Sequence, residues 1–245
     1  MTSPIATAVY AGLGVAAGAG VAAGVYAYAS TWPSSRLFGS ALTAPARPGE
    51  IALTFDDGPN ANWTPKLLDI LGTHDVNATF FLLGGRAKAQ PELVQRIARA
   101  GHSIGNHTWS HPNLARSSSE VIREELKRTQ QTLQQITGAP VKFFRPPYGA
   151  RRPQVFRIAR EIDLEMVLWN AMVPDWSDPS PDRIAQKLSE KIARQQRMGR
   201  AANIVLHDGG HRDPTANRQP SILAAQRLIA QYKPTHRFVT LDAWD

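Results

Sequence analysis

Beyond Glu50 the chain alternates between two periodicities. Short β-rich runs at 51–55, 78–83, 102–105, 141–144, 165–169, 203–206 and 237–241 read as seven strands. Between them, apolar positions recur every three or four residues at 64–71, 91–100, 119–137, 153–162, 181–196 and 220–232. Several of these stretches open on Ser, Thr or Pro, as helix N-termini prefer. Strands alternating with helices predict an α/β fold of parallel strands joined by right-handed crossovers, as a barrel or an open doubly wound sheet. No repeat and no low-complexity stretch follows Gly49.

The pattern before Glu50 is different. From Ile5 to Ser30 there is no charged residue, and Ala, Gly and Val dominate, so residues 1–30 are long enough to span a bilayer or to serve as a signal segment. Tyr26, Tyr28 and Trp32 at its end fit an interfacial aromatic belt, whereas Ala27-Tyr28-Ala29 fits a cleavage site; both fates stay open. Gly14, Gly18, Gly20 and Gly24 give two GxxxG spacings, which permit close helix packing in lipid. No Lys or Arg precedes the segment and Arg36 and Arg47 follow it, so loop charge does not favour an exported C-terminal domain. Residues 31–49, with Pro33, Pro45 and Pro48, read as a linker or loose wrap ahead of one domain at 50–245.

Composition then narrows the chemistry. The chain has 245 residues, 42% of them hydrophobic, which is enough for one substantial core. Its net charge of +8 contains no run of five basic residues, so a nucleic-acid partner is not expected. Cysteine is absent, which excludes disulfides, thiolate zinc sites and thiol nucleophiles. Any metal must be held by His and carboxylate.

The informative feature is where polar residues stand relative to the strands. Asp56 and Asp57 directly follow the first, His107 and His111 follow the third, Arg145 the fourth, Asp175 lies a little past the fifth and His207 follows the sixth. Chemistry in parallel α/β folds gathers at the carboxyl ends of strands. Asp56-Asp57 before Gly58-Pro59 is also ordinary turn chemistry. Two crowded carboxylates repel, however, and a divalent cation can hold one ionised while the other serves as a base. His107 and His111, four residues apart, join a strand-end Asp in a two-His, one-carboxylate set suited to catalytic zinc or another first-row metal. His74, His102, His211 and His236 belong to no such pattern and are expected on the surface or in the core.

Five segments carry a resemblance. Thr54-Phe55-Asp56-Asp57-Gly58-Pro59, His107-Thr108-Trp109-Ser110-His111-Pro112, Arg145-Pro146-Pro147-Tyr148-Gly149, Asp175-Trp176 and Val205-Leu206-His207 resemble, in order, the motifs of the NodB-homology polysaccharide deacetylases, carbohydrate esterase family 4. The resemblance spans about residues 50–245. It implies a distorted (β/α) barrel of about seven parallel strands. It also implies a metal, usually Zn2+, bound by Asp57, His107 and His111, with Asp56 as general base. By the same resemblance His207 is the acid, Arg145 orients Asp56, and Asp175 raises the pKa of His207. The backbone N–H of Tyr148 stabilises the oxyanion, and Trp176 and Val205 wall the acetyl pocket. Two positions depart from the pattern: Val205 stands where many members have Leu, and Met172 stands where some carry a further acidic residue.

The implied substrate is an N-acetylhexosamine polysaccharide such as peptidoglycan or a chitin-like chain. The implied location is the cell envelope, with an extracytoplasmic domain anchored through residues 1–30 or secreted after cleavage. Acetyl esters or small cyclic amides are the alternative substrates on the same barrel. A non-catalytic, membrane-tethered carbohydrate-binding protein is the alternative of another class, and it would be expected to lack the base or a ligand.

Overall fold

The computed structural model describes residue 21 and residues 23–244 of the chain. The expected strands and helices assemble into one curled parallel sheet wrapped by helices. The strands are β1 (Glu50–Gly58), β2 (Thr79–Leu82), β3 (Ser103–Asn106), β4 (Phe143–Phe144), β5 (Glu165–Met166), β6 (Ala171–Met172), β7 (Ala202–His207) and β8 (Arg237–Phe238). The helices are α1 (Thr64–Thr73), α2 (Gly84–Ala89), α3 (Pro91–Arg99), α4 (Ser119–Thr137), α5 (Pro153–Arg160), α6 (Pro181–Arg197) and α7 (Gln219–Tyr232). Strand order is β5-β4-β3-β2-β1-β7-β6, with β8 paired to the start of β1, and every pairing is parallel.

Local chemistry accounts for the helix ends. Ser118 and Ser180 accept hydrogen bonds from Val121 N and Arg183 N at the starts of α4 and α6. Gly138 ends α4 in the left-handed conformation at φ 68°. Proline occupies the first turn of α1, α3, α5, α6 and α7, where the missing N–H has no intrahelical partner to lose.

All nine residues of β1 are buried, as befits a central parallel strand covered on both faces. Alternation divides them. Ile51, Leu53 and Phe55 pack into the large core beneath the helices, with Leu67, Leu71, Leu188 and Leu228. Ala52 belongs to a separate cluster with Phe81, Phe143, Val167 and Leu241 inside the curl, on the side shared by Thr54 and Asp56. One strand thus supplies the core on one face and the site on the other.

Two elements differ from expectation. The run 165–169 does not continue as one strand: β5 pairs with β4, whereas β6 pairs with β7. Between them Val167 and Leu168 turn their backbone to the segment before the barrel. Leu42 bridges Val167, and Leu168 N donates to Leu42 O at 2.8 Å. Asn203 completes the seam by donating from Nδ2 to both Thr43 O (2.9 Å) and Leu168 O (2.8 Å). The second difference is α2, a six-residue helix that starts on Gly84-Gly85. A Cβ at Gly84 would stand 2.5 Å from Thr129 Oγ1, so the glycine that hides the helix in the sequence is what lets it pack against α4.

The expected N-terminal hydrophobic helix lies mostly outside the described residues. Residues 23–31 are helical, and among the described residues no helix is long and apolar enough to cross a membrane.

Candidate active site

The carboxyl ends of β1, β3, β4 and β7 converge on a cavity of about 640 Å3. Asp56, Asp57, His107, His111, Tyr148, Trp176, Val205 and His207 line it. Arg145 and Asp175 stand behind two of these residues and touch them directly.

Adjacent strand residues ordinarily face opposite ways. Asp56 and Asp57 escape that rule because the β1–β2 register shifts between Asp56 and Gly58, and Asp57 takes a positive φ of 69°. Thr108, His111 and Tyr148 are likewise left-handed, at 70°, 67° and 59°. Such conformations cost non-glycine residues on the order of 1 kcal/mol each and persist where surrounding contacts enforce them. The contacts around residues 106–111 are specific. Asn106 Oδ1 accepts from Thr108 N (2.9 Å), Glu125 accepts from Trp109 N (2.7 Å) and Ser110 N (2.8 Å), and Thr108 Oγ1 accepts from His111 N (3.1 Å).

Asp57, His107 and His111 each offer one ligand atom, all within 4.8 Å of one another. His107 Nδ1 lies 2.8 Å from Arg145 O, so a proton there leaves the lone pair on Nε2, 3.5 Å from Asp57 Oδ1. His111 Nε2 lies 3.2 Å from the same oxygen. Burial, reinforced by neighbouring histidines, lowers the His111 pKa to about 3, which keeps its imidazole neutral. Burial alone would raise Asp57, but hydrogen bonds and charge from the surrounding histidines outweigh it and hold the carboxyl well below its usual range. Asp57 Oδ1 is buried without a hydrogen-bond donor. A buried carboxylate oxygen with no donor, facing one ring nitrogen from each of two imidazoles, is the donor set a divalent cation fits.

On one side of this cluster, Arg145 Nη1 donates to Asp56 Oδ1 and Thr54 Oγ1, each at 2.7 Å, while its guanidinium lies 4.1 Å above the Phe81 ring. Facing Asp56 in register on β7, His207 sets Nδ1 2.8 Å from Asp175 Oδ1 and donates its backbone N–H to Asp175 Oδ2 at 2.9 Å. Burial disfavours charge on His207, but the carboxylates of Asp175, Asp57 and Asp56 outweigh it and raise the pKa to about 9. Trp176, half exposed, packs its ring edge-on against His207 at 5.0 Å. Tyr148, also half exposed, meets His111 edge-on at 4.6 Å.

Three further residues belong here. Asn203 Oδ1 lies 3.4 Å from Arg145 Nη2. Asp208 is fully buried, accepts from Thr64 Oγ1 and presses against Gly58; burial, with the charges of Asp57 and Asp56, raises its pKa to about 7. His211, expected on the surface or in the core, instead lines the cavity and stacks on His111 at 4.1 Å. The strand-end position that marks His207 extends four residues to His211, through a Gly-Gly turn that makes it look like a loop residue. His102 is a core residue as expected, its pKa lowered to about 4 by burial.

Known proteins resemble this chain in sequence and fold. The polysaccharide deacetylase family model matches residues 43–167. A peptidoglycan-N-acetylglucosamine deacetylase of Bacillus cereus is 39% identical over 209 residues, which cover 84% of this chain and 72% of the relative. A chitooligosaccharide deacetylase of Rhizobium leguminosarum bv. trifolii is 39% identical over 183 residues, 74% of this chain and 81% of the relative. A crystal structure of a peptidoglycan N-acetylglucosamine deacetylase, in complex with 4-naphthalen-1-yl-N-oxidanyl-benzamide, superposes with a TM-score of 0.74 at 39% identity, covering 83% of this chain and 91% of that one. Fold, strand-end constellation and relatives agree, and the chain belongs to the polysaccharide deacetylase family, the NodB-homology enzymes of carbohydrate esterase family 4.

Proposed function

We propose that this chain hydrolyses N-acetyl groups on an N-acetylhexosamine-containing polysaccharide, peptidoglycan or a chitin-like chain, with a divalent cation held by Asp57, His107 and His111. Zn2+ suits this set of two imidazoles and one carboxylate best. The observation that carries the proposal is the convergence of three ligand-capable atoms between an arginine-held carboxylate and a carboxylate-held imidazole.

A bound cation supplies Lewis acidity toward the acetyl carbonyl and lowers the pKa of the attacking water. Asp56, held in place by the hydrogen bond from Arg145, accepts that water's proton as its oxygen attacks the carbonyl carbon. The backbone N–H of Tyr148 donates to the oxyanion that develops, a contribution of about 3 kcal/mol for one such donor. His207, with Nδ1 committed to Asp175, delivers a proton from Nε2 to the departing amine as the C–N bond breaks. Acetate and a free amino sugar result. Trp176 and Val205 wall the space for the acetyl methyl.

The domain acts at the cell envelope, outside the cytoplasm, anchored by residues 1–30 or secreted if that segment is cleaved. Support comes from the uncharged run Ile5 to Ser30 and from Val21, Val25, Tyr28 and Trp32, which are exposed at one-face helical spacing. Peptidoglycan, named for several relatives, lies outside the cytoplasm.

The test is acetate release by the full chain in detergent, from N-acetylglucosamine oligomers and from a wall preparation. Release is expected to stop with chelator and to be inhibited by a hydroxamate, a general chelating group of the kind in the solved relative's ligand. Release that persists unchanged in Asp56→Asn would overturn the mechanism. Turnover of an acetyl ester or cyclic ureide, with none of any N-acetylated sugar, would overturn the substrate.

A further inference from the structure

His211 lines the cavity but lies outside the five motifs, and its contacts with Asp57 are divided oxygen by oxygen. Asp57 Oδ1 faces His107 Nε2 and His111 Nε2 at 3.5 and 3.2 Å. Asp57 Oδ2 faces His211 alone among these histidines: the backbone N–H donates to it at 3.2 Å, and Nδ1 lies 3.5 Å away. The other ring nitrogen, Nε2, lies 3.2 Å from Tyr148 Oη. One neutral tautomer satisfies both contacts, with Nδ1–H directed at the carboxylate and Nε2 accepting from the Tyr148 hydroxyl.

The loop that carries His211 is pressed onto β1 and tied there. A Cβ at Gly209 would stand 2.0 Å from Asp57 O, so the approach requires glycine. Arg86 donates to Asp57 O at 3.0 Å and also to Gly210 O, while Arg218 Nε donates to Gly209 O.

We propose that His211 is a positioning residue. It restrains Asp57 through Oδ2, so that Oδ1 is presented to the cation, and it ties Tyr148 across the cavity mouth through its hydroxyl. This inference rests on the proposed cation site. Groups that orient a ligand in this way typically change metal affinity 10- to 100-fold when removed.

The test measures zinc affinity of the full chain by competition with a chromogenic chelator, alongside KM for an N-acetylglucosamine oligomer. His211→Ala should weaken zinc binding about 10- to 100-fold. His211→Asn keeps a side-chain N–H near the Nδ1 position but cannot reach Tyr148. It should bind zinc within a few-fold of wild type and raise KM, as should Tyr148→Phe, which removes only the hydroxyl. His107→Ala serves as the control for the site itself: zinc bound there as in wild type would sink the site. With that control weakened, wild-type zinc affinity in His211→Ala would overturn the inference about His211 alone. Should His211→Ala not fold, His211→Asn decides: loss of zinc affinity there, or an unchanged KM, would equally overturn it.

Discussion

Arg145 and Arg151 lie six residues apart, both buried, with very different surroundings. Arg145 faces a carboxylate and a hydroxyl, Asp56 and Thr54, inside the curl of the sheet. Arg151 has only carbonyls: Gly149 O at 3.0 Å, Trp32 O at 2.6 Å, Ser35 O at 3.2 Å and Ser30 O at 3.5 Å. Three of those four belong to the stretch that ends the helical segment 23–31, so Arg151 caps a helix C-terminus and straps residues 30–35 to the barrel. Burial of a cation therefore does not identify chemistry. The partner does: Arg145 holds a carboxyl group that has a further use, whereas Arg151 satisfies backbone groups that have none.

The largest effect expected from this contrast is in Asp56→Asn. An amide still accepts from Arg145, so the fold should remain, while acetate release falls by about 10²- to 10⁴-fold. Next come the paired substitutions. Arg145→Met leaves Asp56 buried without its partner, at a cost of about 3–5 kcal/mol in denaturant unfolding, and kcat should fall with it. Arg151→Met should lower the melting temperature yet keep kcat near wild type. An equal loss of kcat in both variants would erase the distinction.

A smaller effect is expected in the pH profile. The His207 pKa, raised to about 9, lies above the ordinary histidine value of about 6.5. The stabilisation from its proton is therefore complete below about pH 6.5 and is lost as pH rises through about 9, and activity should fall on the same alkaline limb. A cation on Asp57 cancels part of that carboxylate's pull and leaves Asp175 as the principal support. Asp175→Asn should move the limb to lower pH by about 1–3 units; a limb that stays put would remove His207 as the acid. The smallest effect belongs to Val205→Leu, which adds one methylene to the cavity wall and should alter KM by no more than about tenfold.

Much of this was legible in the sequence because the site residues sit in short contiguous motifs directly after strand-like runs. Asp56, Asp57, His107, His111, Arg145, Tyr148, Asp175, Trp176, Val205 and His207 all gather at one end of the sheet. What the sequence hid depends on geometry without a periodic signature. The bulge that turns Asp57 toward its neighbour's side is a backbone event, with no side-chain pattern to announce it. Strand β6 is two residues long, and α2 begins on paired glycines, so neither has an amphipathic period to detect. His211 and Asp208 lie in an Asp-Gly-Gly-His turn whose composition is that of any loop; only the close approach of Gly209 to Asp57 gives them a place in the site. Arg151 belongs to no sequence pattern, and its burial comes from the carbonyls of residues 30–35, more than a hundred positions away in the chain.

The decisive measurement is anomalous diffraction at the zinc edge from crystals of the full chain grown with zinc, repeated with His111→Ala. One dominant peak enclosed by Asp57, His107 and His111 is expected in the wild type and should be lost in the variant. A peak elsewhere, or one that survives His111→Ala undiminished, would contradict the proposed cation site.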